Sequence, residues 1–187
     1  MTVKMRRYVF ACLCMVLVVF IYVKSSFVGK LLYPIYYEQE IRQSALNYDM
    51  NPYLLAAIIR VESNYEKKSI SHKGAIGVMQ LMPTTAAWII ERGFNNQIAS
   101  KDIAVVETNI NLGTWYLSWL YQYYEGNLVQ AVAAYNAGQG NVDRWLQNKT
   151  WDGTIEQIEQ VPYQETKQYV QRVLYYYEKY QKLHRSA

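Results

Sequence analysis

Glu62 stands at the end of an apolar stretch, "AAIIRVESNY", where an acidic side chain could do proton-transfer chemistry. If the stretch is helical, Leu55, Ile58 and Ile59 lie seven, four and three residues before Glu62 and share its face. That face is expected to be buried, and burial raises the pKa of a carboxyl group because it penalises the charged form. A neutral Glu62 could then act as an acid near pH 7. The alternative is a helix-end glutamate that turns into solvent or pairs with a cation.

A glycine-containing connector, "SHKGAIGVMQLMP", follows and separates two predicted helices. Gly74 and Gly77 are three residues apart, and Gln80 lies among apolar residues. One interpretation is a loop whose backbone approaches a substrate closely, with the Gln80 amide available for a hydrogen bond. The alternative is a buried connector with small residues for close packing. The segment lacks the lysine and hydroxyl residue of a phosphate-binding loop.

Cysteine and histidine are too sparse for metal or thiol chemistry. Cys12 and Cys14 both lie near the N-terminus, so the rest of the chain has neither a disulfide framework nor a cysteine nucleophile. His72 and His184 are far apart in the sequence, and we expect no zinc cluster, metal or cofactor. His72 is the other titratable candidate near Glu62 in the sequence. The net charge of +4 is spread along the chain, which predicts no nucleic-acid partner.

The N-terminal segment predicts a membrane anchor. Lys4, Arg6 and Arg7 precede sixteen uncharged, mostly apolar residues, 8–23. As a helix these span about 24 Å, and continuing through "SSFVG" brings the length to about 31 Å, enough for a hydrocarbon core of about 30 Å. No small-residue cleavage site follows, so we expect an uncleaved single-pass helix and not a cleaved signal peptide. A lipoprotein is disfavoured because Cys12 comes early in the run. The basic residues should remain in the cytoplasm, with the remaining chain outside.

Helical patterns dominate after residue 33, and no segment alternates apolar and polar residues as a strand would. Asn51 is a predicted N-cap followed by Pro52 at the first helical position, and Asn127 caps a later helix that Gly138 ends. We therefore predict an all-α protein, with residues 1–33 as basic tip, anchor and connector, and 34–187 as one helical domain. The predicted helices are 36–48, 51–63, 83–93, 106–126, 127–138 and 164–182.

Four motifs stand in order along this domain: Glu62–Ser63, "GAIGVMQLMP", "AAYNAG" and "VPYQETKQYV". Their order and spacing resemble the lytic transglycosylases of the soluble type, glycoside hydrolase family 23, across about residues 35–183. The resemblance implies the compact goose-type lysozyme fold and cleavage of peptidoglycan. Val78 stands where the family has leucine, a mild departure.

The resemblance also implies roles for individual residues. Glu62 matches the single catalytic acid/base. Tyr135 would be a core residue on periodicity alone, and only the "AYN" match places it in the sugar groove. The implied substrate-binding residues are Ser63, Gly77, Gln80, Met82, Tyr135, Asn136, Glu165 and Tyr169. The five tryptophans are predicted to be mostly core and not sugar platforms.

Most glycosidases use a second carboxylate as base or nucleophile. Of the other acidic residues, we expect Glu66 to be solvated, Asp102 to be a helix cap and Glu91 to lie on a helix surface. Glu165 is the best functional candidate, but the sequence does not place it within reach of Glu62. The lack of an assignable second carboxylate agrees with the chemistry that the resemblance implies. There, the acetamido group and the 6-hydroxyl of N-acetylmuramic acid assist, and a 1,6-anhydro end forms.

The sequence thus predicts a membrane-anchored lytic transglycosylase that cleaves the β-1,4 bond between N-acetylmuramic acid and N-acetylglucosamine outside the cytoplasm. Its expected partners are peptidoglycan glycan strands, the membrane through the N-terminal helix, and a possible trans-envelope protein complex. Two alternatives remain. One is a hydrolysing muramidase of the same fold, and the other is a wall-binding component of a secretion, conjugation or sporulation apparatus.

Overall fold

The computed structural model describes residues 3–24, 26–95 and 97–184, and within them the protein is all-helical, as predicted. Extended backbone pairing in these ranges is limited to isolated bridges in the connector, Ile70 with Ile76 and Ile76 with Leu81. The chain divides into two units. Tyr36–Glu178 forms the larger one, and Met1–Ile35 with Lys179–Ala187 forms the smaller one. The predicted boundary at residues 33 and 34 stays a prediction.

The smaller unit contains two helices from the N-terminal segment, α1 (Val3–Lys24) and α2 (Ser26–Leu32). By length and composition alone, Val3–Tyr22 is long and apolar enough to cross a membrane, a test that a signal sequence also passes. The helix begins earlier than the apolar run because basic residues are good helix formers. α1 ends at Lys24, whereas the prediction had one helix continuing through "SSFVG", and residue 25 lies outside the described residues.

The larger unit is built from short and medium helices joined by turns. Four of these helices are α3 (Glu38–Asn47), α4 (Pro52–Ser63), α5 (Pro83–Phe94) and α6 (Val106–Tyr123). The others are α7 (Leu128–Ala137), α8 (Gln139–Gln147) and α9 (Gln164–His184), of which α9 continues into the smaller unit from Lys179. Single 3₁₀ turns occur at Ser100–Ala104 and Ile158–Gln160.

Two predicted helix starts are confirmed in detail. The Asn51 side chain accepts a hydrogen bond from the Tyr53 backbone amide at 2.9 Å, with Pro52 at the first helical position. The Asn127 side chain accepts one from the Gln130 backbone amide at 3.1 Å. Each bond satisfies a backbone N–H that a helix start leaves unpaired, so these residues set where α4 and α7 begin.

α8 was not predicted. Gly138 ends α7 as expected, but its φ of 84° turns the chain so that a new helix starts at the next residue. The segment "QGNVDRWLQ" buries only Val142 and Trp145, a pattern too weak to reveal a helix from sequence alone. The turn depends on glycine because other residues rarely adopt this positive φ.

Candidate active site

Glu62 lies in the last turn of α4, two residues before Asn64 ends the helix in the left-handed conformation with a φ of 52°. Leu55, Ile58 and Ile59 on the same face are fully buried, as predicted. Burial raises the pKa of Glu62 to about 7, which confirms both the expected rise and its cause. Glu62 as a whole residue is half-buried while its carboxyl group is closely surrounded, so the acid is enclosed but reachable. The alternative of a solvated helix-end glutamate is therefore wrong.

α9 presents three polar residues to Glu62 from one face. Glu165, Tyr169 and Arg172 are spaced by four and three residues, the spacing of one helix face. After burial, the Tyr169 hydroxyl lowers the pKa of Glu62, the Glu165 charge raises it and the Arg172 charge lowers it. Sequence reasoning missed Arg172. The α9 periodicity could have indicated it, since Arg172 follows the matched Glu165 and Tyr169 on their own face.

The Tyr169 hydroxyl is a buried polar group with an unusual environment. Within the described residues, no hydrogen bond of standard geometry reaches this buried side-chain oxygen. It is still near enough to Glu62 for each to shift the pKa of the other, and burial and the Glu62 charge raise the pKa of Tyr169 well above its ordinary value. The Tyr169 hydroxyl therefore stabilises the charged form of Glu62.

Tyr135 reaches the same centre from α7. Its hydroxyl donates to the Met79 backbone carbonyl at 3.0 Å. Burial of the hydroxyl, followed by the nearby charge of Glu62, raises the pKa of Tyr135 well above its ordinary value. The ring is only partly buried and packs against a core cluster that includes Leu81 and Ile89. Tyr135 is therefore anchored to the core and also borders the enclosed carboxyl group.

The connector between α4 and α5 is held by the side-chain amide of its own Gln80. Gln80 adopts a φ of 48°, and its Nε2 donates to the Gly77 carbonyl at 2.8 Å and to the Ser69 carbonyl at 3.2 Å. Val78 and Met79 are fully buried, whereas Met82 is 37% exposed. The connector is thus buried in the middle, as one interpretation held, and presents Met82 at its exposed end.

Asn109, on α6, fixes this connector and was missed by sequence reasoning. Its fully buried amide accepts from the Met79 backbone N–H at 2.8 Å and donates to the carbonyls of Ile76 and Ile103, both at 3.0 Å. A Cβ on Gly77 would collide with this amide, which explains the need for glycine there. The signal available in the sequence was a polar amide among apolar residues in the segment "NINLG", which contains Asn109 and Asn111.

Other predicted residues connect elements around the site. The Ser63 Oγ lies 2.8 Å from the Val78 carbonyl and 3.2 Å from the Ile59 carbonyl, so it ties the end of α4 to the connector. The buried Thr166 Oγ1 donates to the Asn136 Oδ1 at 2.8 Å and joins α9 to α7. These contacts give Ser63 and Asn136 positioning duties. Their substrate contacts stay predictions.

Glu165 and His72 are exposed, unlike the positioning residues above. Glu165 forms an ion pair with Lys73 at 3.5 Å, with 72% and 78% of the side chains exposed, and such surface pairs contribute little to stability. His72, next to Lys73, is exposed in the connector.

Comparison with known proteins decides the family. Residues 39–158 match the transglycosylase SLT domain. The chain belongs to this family. The larger unit accordingly has a lysozyme-like helical fold.

Several relatives carry the same domain. The chain is 35% identical to the soluble lytic murein transglycosylase of Salmonella typhimurium over 164 residues. It is 32% identical to the membrane-bound lytic murein transglycosylase C of Photorhabdus laumondii over 113 residues, 56% of this chain and 32% of the relative. The alignment with the Salmonella protein covers 82% of this chain but 25% of the relative, so the chain spans about a quarter of that protein.

Solved structures agree with the family. The 70 kDa soluble lytic transglycosylase SLT70 of Escherichia coli superposes with a TM-score of 0.76 at 33% identity. An inactive mutant of the lytic transglycosylase Slt of Pseudomonas aeruginosa, a glutamate-to-glutamine replacement, superposes with a TM-score of 0.73 at 36% identity. Each match covers 82% of this chain and 25% of the other.

Proposed function

We propose that this protein is a peptidoglycan lytic transglycosylase in which Glu62 acts as the single acid and base. The observation that carries the proposal is the enclosed Glu62 carboxyl, whose pKa of about 7 lets both protonation states coexist at neutral pH. A catalytic group of this pKa can donate a proton and take one back within a single turnover. The lytic murein transglycosylases among the relatives support the same reaction class.

The first half of the proposed reaction uses protonated Glu62. It donates its proton to the glycosidic oxygen that leaves with N-acetylglucosamine, and the bond from that oxygen to C1 of N-acetylmuramic acid breaks. The acetamido carbonyl oxygen of the same sugar attacks C1 and holds the positive charge as an oxazolinium ring. Glu62 is then a carboxylate, which the Tyr169 hydroxyl and the Arg172 charge favour.

The second half returns the proton. The Glu62 carboxylate accepts the proton of the 6-hydroxyl, whose oxygen attacks C1 and displaces the acetamido oxygen. A 1,6-anhydro ring forms, Glu62 is again protonated, and no water is consumed. A second carboxylate is unnecessary because the substrate supplies both nucleophiles. The inactive glutamate-to-glutamine mutant of the Pseudomonas relative supports an essential glutamate in this kind of enzyme.

We further propose that α1 anchors the catalytic unit to the membrane in a single pass. Its 22 residues extend about 33 Å as a helix, so the uncharged residues 8–23, about 24 Å long, can lie in the hydrocarbon core while the basic residues at both ends reach the membrane surfaces. Lys4, Arg6 and Arg7 at its start favour a cytoplasmic N-terminus, with the larger unit outside facing peptidoglycan glycan strands. The membrane-bound relatives support an anchored enzyme.

Digestion of purified peptidoglycan tests the reaction. The full chain in detergent should release muropeptides whose masses are lower by one water than those of hydrolytic products. Glu62→Gln should lower the rate at least about a hundredfold, the range for loss of a general acid. Glu66→Gln, which removes an exposed acid four residues further along the chain, is the matched control and should leave the rate unchanged.

Each alternative has its own result. Products with ordinary reducing ends would establish the hydrolysing muramidase. Strand binding without any product would establish a wall-binding component. Residual turnover by Glu62→Gln within tenfold of the parent would refute the assignment of the acid.

A further inference from the structure

The charged residues of the chain are divided unequally between its two units. Residues 1–35 and 179–187, which form the smaller unit, contain eight basic residues and no acidic one. The larger unit contains eleven basic residues and all fifteen acidic ones. The formal charges of the two units are therefore +8 and −4, which corrects the expectation of an evenly spread charge. An anionic surface would attract the smaller unit and not the larger one.

The two ends of the chain meet within the smaller unit. The Tyr180 hydroxyl donates to the Pro34 carbonyl at 3.4 Å, and the His184 Nε2 lies 3.1 Å from the Tyr33 carbonyl oxygen. The Tyr180 side chain is fully buried, and its ring centroid is 5.9 Å from that of His184. These contacts fasten the last turns of α9 to the segment that directly follows α2.

The last turns of α9 have a packed face and a basic face. Tyr180 and His184 are four residues apart and share the packed face. Lys179 and Lys182 are three residues apart, and the helical period places them together on the other side of α9. Lys182 is exposed. The packing that fastens α9 to the chain start therefore directs the two lysines away from it.

α2 combines basic charge with exposed apolar surface. A Cβ on Gly29 would overlap the Leu183 side chain, so this position of α2 packs closely against α9. Lys30, Leu31 and Leu32 come next, and the two leucines are 68% and 64% exposed. Lysines beside exposed leucines suit the boundary of a bilayer, because the leucines can enter the apolar layer while the ammonium groups meet phosphates.

Chain connectivity keeps these groups at the membrane surface when α1 is the anchor. α1 ends at Lys24, and α2 begins two residues later. Even fully extended, the five steps from Lys24 to Gly29 span at most about 18 Å. Because the end of α9 packs on Gly29, Lys182 is held near the same surface.

We propose that α2 and the last turns of α9 bind the headgroups of anionic phospholipids. The residues of this headgroup-binding face are Lys30, Leu31, Leu32, Lys179 and Lys182. The proposal rests on the proposed anchoring by α1 with the larger unit outside. It gives the enzyme a second contact with the bilayer besides α1. Each lysine close to an anionic membrane surface raises the affinity for that surface about fivefold.

Lysine acetylation tests the contact without any substitution. The full chain is placed in nanodiscs of phosphatidylcholine, or of phosphatidylcholine and phosphatidylglycerol in equal parts, and mass spectrometry measures how fast a neutral reagent acetylates each lysine. We expect Lys30 and Lys182 to react at least about fivefold more slowly in the anionic discs, and the difference to disappear at high salt. Lys67 and Lys68, exposed on the larger unit, are internal controls and should react equally in both discs. Equal rates at Lys182 in the two discs would overturn the proposal.

Lipid selection by variants gives a second, independent result. The full chain in neutral detergent is mixed with equal amounts of the two lipids, and native mass spectrometry measures the ratio in which they bind. The parent should prefer phosphatidylglycerol, and Lys30→Gln combined with Lys182→Gln should lower this preference about thirtyfold, the product of two lysine contacts. Lys67→Gln combined with Lys68→Gln removes the same charge elsewhere and should keep the preference of the parent.

Three results of this selection would contradict the headgroup-binding face. They are a parent without preference, an equal loss in both double variants, and displacement of the lipid by an equal concentration of glycerol phosphate, which would identify a site for free phosphate instead. A thermal melt of each variant accompanies the measurement, and if a double variant is unfolded the acetylation rates of the parent decide.

The two proposals fail in different ways. If protease added to spheroplasts leaves the larger unit intact, the proposed orientation is wrong, and the lipid preference in detergent is still measured directly. If the larger unit is digested and peptidoglycan yields anhydro products, while Lys182 reacts equally in both discs, the headgroup-binding face alone is wrong.

Discussion

Replacing Glu62 by glutamine should make the protein more stable at alkaline pH. Burial raises the pKa of Glu62 from 4.5 to about 7, so the folded protein binds this proton more tightly than the unfolded chain does. At 1.36 kcal/mol for each unit, the difference amounts to about 3 kcal/mol. For a group whose pKa is raised by folding, this stability is fully present below pH 4.5 and is lost as the pH rises through about 7. Above pH 8 the parent therefore carries the whole cost of a buried carboxylate.

Glutamine has nearly the same shape and no charge, so the variant avoids this cost. We expect the free energy of unfolding of Glu62→Gln to exceed that of the parent by up to about 3 kcal/mol at pH 8, with little difference at pH 4. The measurement is denaturant unfolding of both full chains in the same detergent at several pH values. Glu66→Gln again serves as control, because Glu66 is exposed and should follow the parent. A stability difference that does not vary with pH would refute the argument that folding buries the Glu62 carboxyl.

Three further predictions address the acid, the connector and the membrane. The value of kcat/KM should fall at alkaline pH with an apparent pKa of about 7. This apparent pKa should be lower in Glu165→Gln and higher in Tyr169→Phe, and an unchanged value in both variants would contradict the α9 contacts. Asn109→Ala should lower the free energy of unfolding by about 2–5 kcal/mol, since three backbone groups lose a buried hydrogen-bond partner. The control Asn47→Ala, at an exposed position, should not lower it, and equal melting of Asn109→Ala and the parent would show that Asn109 is dispensable. Protease added to spheroplasts should digest the larger unit, and its protection would reverse the proposed orientation.

Features contained within one helix were predictable from the sequence. The Asn51 cap, Pro52 and the apolar face of Leu55, Ile58 and Ile59 all belong to α4, and the helical period places Glu62 on that face without knowledge of any other element. The rise in the pKa of Glu62 was predictable as well, because its largest cause is burial on that face. Helix starts at Asn51 and Asn127 were predictable for the same reason, since a capping side chain bonds a backbone N–H two or three residues away.

Features that join distant elements were decided by the tertiary structure. α9 follows Glu62 by about a hundred residues, and only packing sets which of its faces meets α4, so the effect of Arg172 could not be read from spacing. The buried amide of Asn109 holds a connector some thirty residues earlier in the chain, and its pairing depends on where α6 lies. The sequence by itself determined the composition and local periodicity of each helix. The position of each helix against the others depends on side-chain packing over the whole unit, and that packing decides which polar groups surround Glu62.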